Sequence, residues 1–150
     1  MILGPRDGAH GYSKRLQIRD ALNAIDGVTA RFPEDADFID VVIKRLQVDP
    51  SDVVALELAQ ARLAHIILAL DISSGVNQEV AMFSTYRQLR GKIIDLVEDK
   101  HRGTPDSFPG HVRRFVRQEF FSEDEFDSCN LATKRCPGLI TNEKVHRALR

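Results

Sequence analysis

Cysteine is scarce in this sequence of 150 residues. Cys129 and Cys136 are the only two, and they lie seven positions apart. That separation matches neither the spacing of zinc ligands nor a CxxC redox pair. Because disulfides are rare in the cytosol, we interpret both residues as reduced structural thiols. The sequence predicts no metal site.

A net charge and a membrane-spanning segment are also lacking. The chain has 21 Lys and Arg residues against 22 Asp and Glu residues, for a formal charge of -1. No long-range electrostatic field therefore attracts nucleic acid or an anionic membrane, although the net charge does not exclude a local basic patch. The longest apolar run is too short to cross a bilayer, and no charged segment followed by an apolar one marks a signal peptide. We expect a cytoplasmic protein with no nucleic-acid or membrane partner.

Strand-like and helix-like segments alternate along the first two thirds of the chain. Apolar runs predict strands, the longest of which ends at Asp71, and residues with helical spacing follow most of them. This order predicts an α/β fold, Rossmann-like (flavodoxin-like), with a parallel sheet of four to five strands and helices on both faces. The first strand is so short that we expect the natural start to lie upstream. The predicted strands are residues 1–3, 28–32, 65–70 and 92–98, and the predicted helices are 13–25, 35–46, 51–63 and 77–89.

The last third has a different pattern. Residues 99–110 show no periodicity and predict a loop, and residues 111–121 have helical spacing with a basic face that we assign to solvent. Ser122 followed by Glu125 is typical of a helix start. A short final helix is predicted from Thr141. We therefore expect a single domain over 1–150, with a helical C-terminal extension from about residue 111.

The stretch from Asp71 to Glu79 is the candidate site. Ligands of open α/β sheets bind outside the carboxyl ends of strands, where helix N-termini direct their amides outward. Asp71 ends the most apolar strand, Ser74 and Gly75 form a predicted turn, and Glu79 falls in the first turn of the next predicted helix. From local features alone, a carboxylate that merely complements the helix dipole explains Glu79 equally well.

The segment DISSGVNQE, residues 71–79, resembles the nucleoside 2-deoxyribosyltransferase family. In that family a strand-end aspartate, a small-residue and glycine turn, and a glutamate four positions after the glycine build the sugar site. Gly4-Pro5 after the first strand resembles the family's opening loop, and residues 61–71 resemble its approach to the site. The likeness covers about residues 1–98. TIR-like NAD-cleaving domains are similar in general plan.

The resemblance implies roles for individual residues. Glu79 would be the nucleophile at the anomeric carbon, and Asp71 would assist the departing base, position the sugar or orient Glu79. Ser74, Gly75 and Asn77 would contact the sugar or base, although turn and cap chemistry explains these residue types equally well. Gly4 and Pro5 would belong to the substrate-binding loop. Beyond them the loop departs from the family pattern, and Arg6 and Tyr12 are candidate substrate contacts from their own chemistry, Tyr12 either stacking on a base or packing in the fold.

The functional prediction is therefore cleavage or transfer of an N-glycosidic bond in a nucleoside, nucleotide or NAD-like substrate, without a cofactor. The alternatives are a catalytically inactive nucleotide-binding sensor and a purely structural protein. In the first loop Arg6 could bind a 5′-phosphate or be a solvated surface residue. The resemblance also implies a homo-oligomer, for which the helix face with Val80, Phe83 and Tyr86 is a candidate surface, unless those residues belong to the core.

Overall fold

A computed structural model describes residues 1–102 and 115–149. The elements follow one another as strand, helices and strand until the final helices. In chain order they are β1 (Ile2–Leu3), α1 (Tyr12–Asn23), α2 (Ala36–Leu46), α3 (Val53–Leu63), β2 (Ile67–Asp71), α4 (Ser74–Thr85), α5 (Arg87–Arg90), β3 (Ile93–Glu98), a 3₁₀ turn (Asp99–His101), β4 (Arg117–Phe121), α6 (Glu123–Asp127), a π-helical turn (Leu131–Arg135) and α7 (Cys136–Ala148).

The four strands form one parallel sheet in the order β1-β2-β3-β4. Leu68 lies opposite Ile2 and Ile94, so β2 is central and hydrogen-bonded on both sides. The α/β class and the Rossmann-like, flavodoxin-like parallel sheet are thus confirmed. All strands point the same way, so their carboxyl ends meet at one edge of the sheet, the carboxyl edge.

Helices cover both faces of the sheet. Side chains of a strand alternate between faces, and Leu68 and Leu70 pack with residues of α1, α7 and the π-helical turn. Ile67 and Ala69 point the other way and pack with residues of α3 and α4. The continuous apolar run of β2 follows from this double coverage.

Residues 28–32 were predicted as a strand, and that prediction is wrong. The segment is extended, but its link to β1 is one hydrogen bond, from the Ile2 N–H to the Arg31 carbonyl, at 2.9 Å. Two neighbouring backbone N–H groups donate to side chains instead of to a strand. The Ala30 N–H donates to Asn23 Oδ1 at 2.7 Å, and the Phe32 N–H donates to Asp35 Oδ2 at 2.8 Å. β1 has only two residues, and both pair with β2 on its other side.

The helix predicted over residues 111–121 is also wrong where the structure describes it. Residues 117–121 form β4, parallel to β3, and residues 111–114 lie outside the described part. In a strand, residues two positions apart lie on the same face, so Arg117 and Glu119 are neighbours. Arg117 Nε donates to Glu119 Oε1 at 2.9 Å, and Arg117 also lies 3.6 Å from Glu143 of α7. The side chain of Arg117 is therefore paired, although we had assigned it to solvent.

The C-terminal residues belong to the core. The capping box of Ser122 and Glu125 is confirmed at the start of α6. The last helix begins at Cys136, earlier than the predicted Thr141, and Leu139 and Ile140 are buried on it. Both cysteines are free, and burial raises the pKa of the Cys136 thiol to about 12.

Two helix boundaries differ from the prediction near the site. α4 begins at Ser74 instead of Asn77 and ends at Thr85, and a separate short helix follows Tyr86. Val80 and Phe83 are almost fully buried in the core. They are therefore not available as an oligomer surface, and core packing explains their spacing.

Candidate functional site

Asp71 and Asn77 meet at the carboxyl edge. Asp71 is the last residue of β2, and its carboxylate accepts hydrogen bonds from Asn77 Nδ2, at 3.1 Å to Oδ2 and 3.3 Å to Oδ1. Asn77 lies in the first turn of α4, where Ser73 caps the helix by accepting from the Val76 N–H at 3.5 Å. The side-chain amide holds the nearly buried carboxylate in one orientation.

Ser74 and Gly75 do not form the predicted turn. They are exposed residues in the first turn of α4, and a Cβ on Gly75 would meet no atom within 4 Å. The direction change after β2 is made by Ile72 and Ser73 instead. Gly75 is thus not the residue that makes the turn between Asp71 and Glu79.

Glu79 lies in the second turn of α4, because the helix starts three residues earlier than predicted. The helix dipole acts mainly within the first turn, so it gives little reason for a carboxylate here. Glu79 is half-buried, and its pKa is raised to about 7, first by burial and then by the negative charge of Glu57. The positive charges of Arg15 and Arg6 oppose that rise. Such a pKa is typical of carboxyl groups that do chemistry near neutral pH.

The helical spacing of residues 51–63 predicts Glu57 on the solvent face and Val54 on the apolar face, and the structure corrects both. Glu57 lies half-buried on α3, and burial raises its pKa, while the charge of Arg6 lowers it. Two acidic side chains from different helices and Arg6 from the first loop therefore share one electrostatic environment. Val54, predicted on the apolar face of the same helix, is more than half exposed.

Arg15 is a buried cation that the sequence reasoning missed. Its guanidinium donates to Glu34 Oε2 at 3.0 Å, to the Ile2 carbonyl at 2.9 Å and to the Pro5 carbonyl at 3.3 Å. Its carbon atom Cζ lies 4.0 Å from the centre of the Phe32 ring. A charged residue at the same helical spacing as Ile18 and Leu22 was the available signal, because it places an arginine on the apolar face of α1.

Gly4 makes room for that arginine. A Cβ at Gly4 would lie 2.6 Å from Arg15 Cδ, which is closer than real Cβ contacts allow. The neighbouring Pro5 is buried, and its carbonyl accepts from Arg15. The contacts with Arg15 thus explain why glycine and proline occupy positions 4 and 5 without reference to a substrate.

The first loop packs onto the end of β2. Gly11 has φ 86°, and a Cβ there would overlap Ile72 Cδ1. Tyr12 begins α1 and is half-buried, whereas Arg6 is exposed at the loop's start. The structure therefore brings Arg6 into the same electrostatic environment as Glu79.

C-terminal residues contact the first loop and the start of α1. The ring of His10 lies 5.6 Å from that of Phe126, and Lys14 Nζ donates to the Ser128 carbonyl at 2.7 Å. These contacts join the loop to α6 and the residues that follow it. His10 in the first loop and Lys14 in α1 thus contact residues more than 110 positions later in the chain.

His101 is a further candidate from the sequence, for a contact to the base. It follows β3 at the carboxyl edge, with its Nε2 3.8 Å from Glu98 Oε2. The strand predicted over residues 65–70 places His65 at the edge of the core, and this is wrong, because His65 is exposed before β2. His111, Arg113 and Arg114 lie outside the described residues.

Within residues 1–102 and 115–149, no group of three or more His, Cys, Asp or Glu side chains is arranged to hold a metal ion. None of the helices in that part of the chain is long and apolar enough to cross a membrane. Comparisons of the chain with protein-family models, with characterised proteins and with solved structures found no match.

Proposed function

We propose that this chain cleaves or transfers the N-glycosidic bond of a nucleoside, nucleotide or NAD-like substrate, with Glu79 as the nucleophile. The observation that carries the proposal is the setting of Glu79. It is a half-buried carboxyl group at the carboxyl edge of a parallel sheet, with a pKa of about 7. Ligands of such sheets bind at this edge.

The reaction needs an ionised carboxylate at the anomeric carbon. A bond forms between a Glu79 oxygen and C1′, and the C1′–N bond breaks with its electron pair moving to the base. A nicotinamide leaves as a neutral molecule, whereas a purine or pyrimidine leaves as an anion that takes a proton from solvent water. Water, or a second base, then attacks C1′ and releases Glu79. Hydrolysis or transfer results, depending on which of them attacks.

Asp71 is the second carboxylate in this proposal. Asn77 Nδ2, 3.1 Å away, orients it, and a carboxylate can accept hydrogen bonds from sugar hydroxyls or from the departing base. Asn77 is therefore a positioning residue, acting through Asp71. Ser74, exposed in the same helical turn, is a further candidate contact to the sugar.

Arg6 and Glu57 adjust the charge of the site. Arg6 is exposed and cationic, and it lowers the pKa of both glutamates, so it favours the ionised form of Glu79. Its guanidinium would also bind the phosphate of a nucleotide substrate. Glu57 acts in the opposite direction, because its charge disfavours a second charge nearby.

The test is incubation of the full chain with a panel of nucleosides, nucleotides and NAD, followed by chromatography of the released base. Release from at least one member is expected. A raised melting temperature without release would support the inactive sensor instead, because a ligand that binds the folded state stabilises it. Neither release nor a raised melting temperature with any member would contradict both functions.

A further inference from the structure

A cavity lies at the opposite edge of the sheet from Glu79, where the strands begin. Its volume is about 500 Å³, within the range of small-molecule sites. The wall is largely apolar and is contributed by several separate segments of the chain. Its apolar residues include Leu22, Phe38, Val41, Ile66, Leu68 and Ile140.

Residues 28–32, which do not join the sheet as a strand, border the cavity. Thr29 and Ala30 line it together with Ile66 before β2, and Phe38 of α2 and Ile140 of α7 add to the wall. The wall therefore comes from elements that are far apart in the chain.

The charges at the cavity favour a single anionic group. Arg31 is neutralised by Asp37, with NH2 2.9 Å from Oδ2. Lys144 Nζ donates to the Asp26 carbonyl at 2.7 Å, and a carbonyl carries no net charge to balance it. Lys144 takes part in none of the ion pairs formed among residues 1–102 and 115–149. Met1 also lines the cavity, but burial lowers the pKa of its α-amino group to about 5, so at neutral pH Lys144 supplies the unbalanced positive charge.

We propose that this cavity binds a medium-chain monocarboxylate. The alkyl chain lies against Phe38 and Ile140, and the carboxylate accepts from Lys144 Nζ, whose ammonium has three N–H donors and gives one to Asp26. One carboxylate matches the one unbalanced charge. This site is separate from the carboxyl edge and does not require that the chain release a base.

The experiment is titration calorimetry of the full chain with octanoate, with octanol as the neutral probe of equal length. Saturable binding of octanoate is expected, about tenfold tighter than octanol, the value of one charge-assisted hydrogen bond. Lys144→Met should abolish that preference. Lys134→Met, an exposed lysine on the π-helical turn, is the matched control and should retain it.

A second variant tests the contribution of the cavity volume to binding while the charge of Lys144 is retained. Val41 lines the cavity but is 42% exposed, so Val41→Trp fills the space from a position that tolerates a larger side chain. It should prevent octanoate binding although Lys144 is retained. Absence of saturable octanoate binding by the parent, equal affinity for octanol, or unchanged binding by Lys144→Met or Val41→Trp would each overturn the proposal.

Discussion

Asn77 Nδ2 donates to both carboxylate oxygens of Asp71, at 3.1 and 3.3 Å. The two residues are six positions apart, and the contact links the end of β2 to the first turn of α4. A hydrogen bond to a charged acceptor stabilises the fold more than a neutral one does. The same contact determines where the Asp71 carboxylate points, so it connects the local fold to the site.

Asn77→Asp should destabilise the fold at pH 7 by about 2 kcal/mol, because a donor becomes a second carboxylate beside Asp71. The new carboxyl group would have a raised folded-state pKa, so the loss should diminish as the pH falls toward 4. Urea unfolding at both pH values measures this. Gln78→Glu, at the exposed neighbouring position, is the control and should change stability little. An equal loss at both pH values would show that the two carboxylates do not interact.

Glu79→Gln should stabilise the fold more at pH 8 than at pH 5. The folded-state pKa of about 7 lies above the ordinary value of 4.5, so the folded chain binds more protons between these values. Stability therefore falls as the pH rises from 4.5 to 7, by about 1–3 kcal/mol. The glutamine variant lacks that loss. Urea unfolding of parent and variant at pH 5 and pH 8 gives the two differences, and equal differences would contradict the raised pKa.

Gly4→Ala should destabilise the fold by about 1–3 kcal/mol, because the new Cβ overlaps the stem of Arg15. The guanidinium is fixed by Glu34 and by the Ile2 carbonyl, so the side chain cannot easily move away. In an Arg15→Ala background the overlap is gone, and the alanine at position 4 should cost much less. A double-mutant cycle from urea unfolding measures the difference. Additive effects would disprove the steric account of Gly4.

The rate of base release should depend on pH through the ionisation of Glu79. In the parent, kcat/KM should rise with pH through about 7, the pKa of the group that must be ionised. Glu57→Gln removes a negative charge, lowers that pKa and should move the rise to lower pH. Arg6→Gln removes a positive charge and should move it to higher pH. Shifts in the same direction, or none, would contradict the electrostatic account of the site.

Much of the fold could be predicted because it depends on local patterns. β2 and β3 were predicted to within about two residues. For β2 the reason is that a strand buried on both faces is a continuous apolar run. β3 is mostly apolar and β-branched as well, although Asp95 interrupts its run. Residues 28–32 and 117–121 were not, because pairing depends on partner strands that their own sequence does not describe. β1 offers residues 28–32 only two residues, whereas β3 offers β4 a full ladder.

The site residues that are close in sequence could be predicted, and those that come from other helices could not. Asp71, Asn77 and Glu79 are close in sequence, and one strand and one helix place them at the same edge. Arg15 and Glu57 approach from other helices, and nothing within residues 71–79 indicates them. An arginine on the apolar face of α1 was a readable signal. The half-burial of Glu57 arises only once α3 packs beside the sheet.

Base release by Glu79→Gln, compared with the parent on the substrate found from the panel, tests the central claim most directly. Glutamine has nearly the same shape but cannot form the glycosyl ester, so the account predicts at least a thousandfold lower rate, in line with loss of an essential nucleophile. Glu123→Gln, an exposed glutamate in α6, should act like the parent. Release by Glu79→Gln at the parental rate would contradict the assignment of Glu79 as the nucleophile.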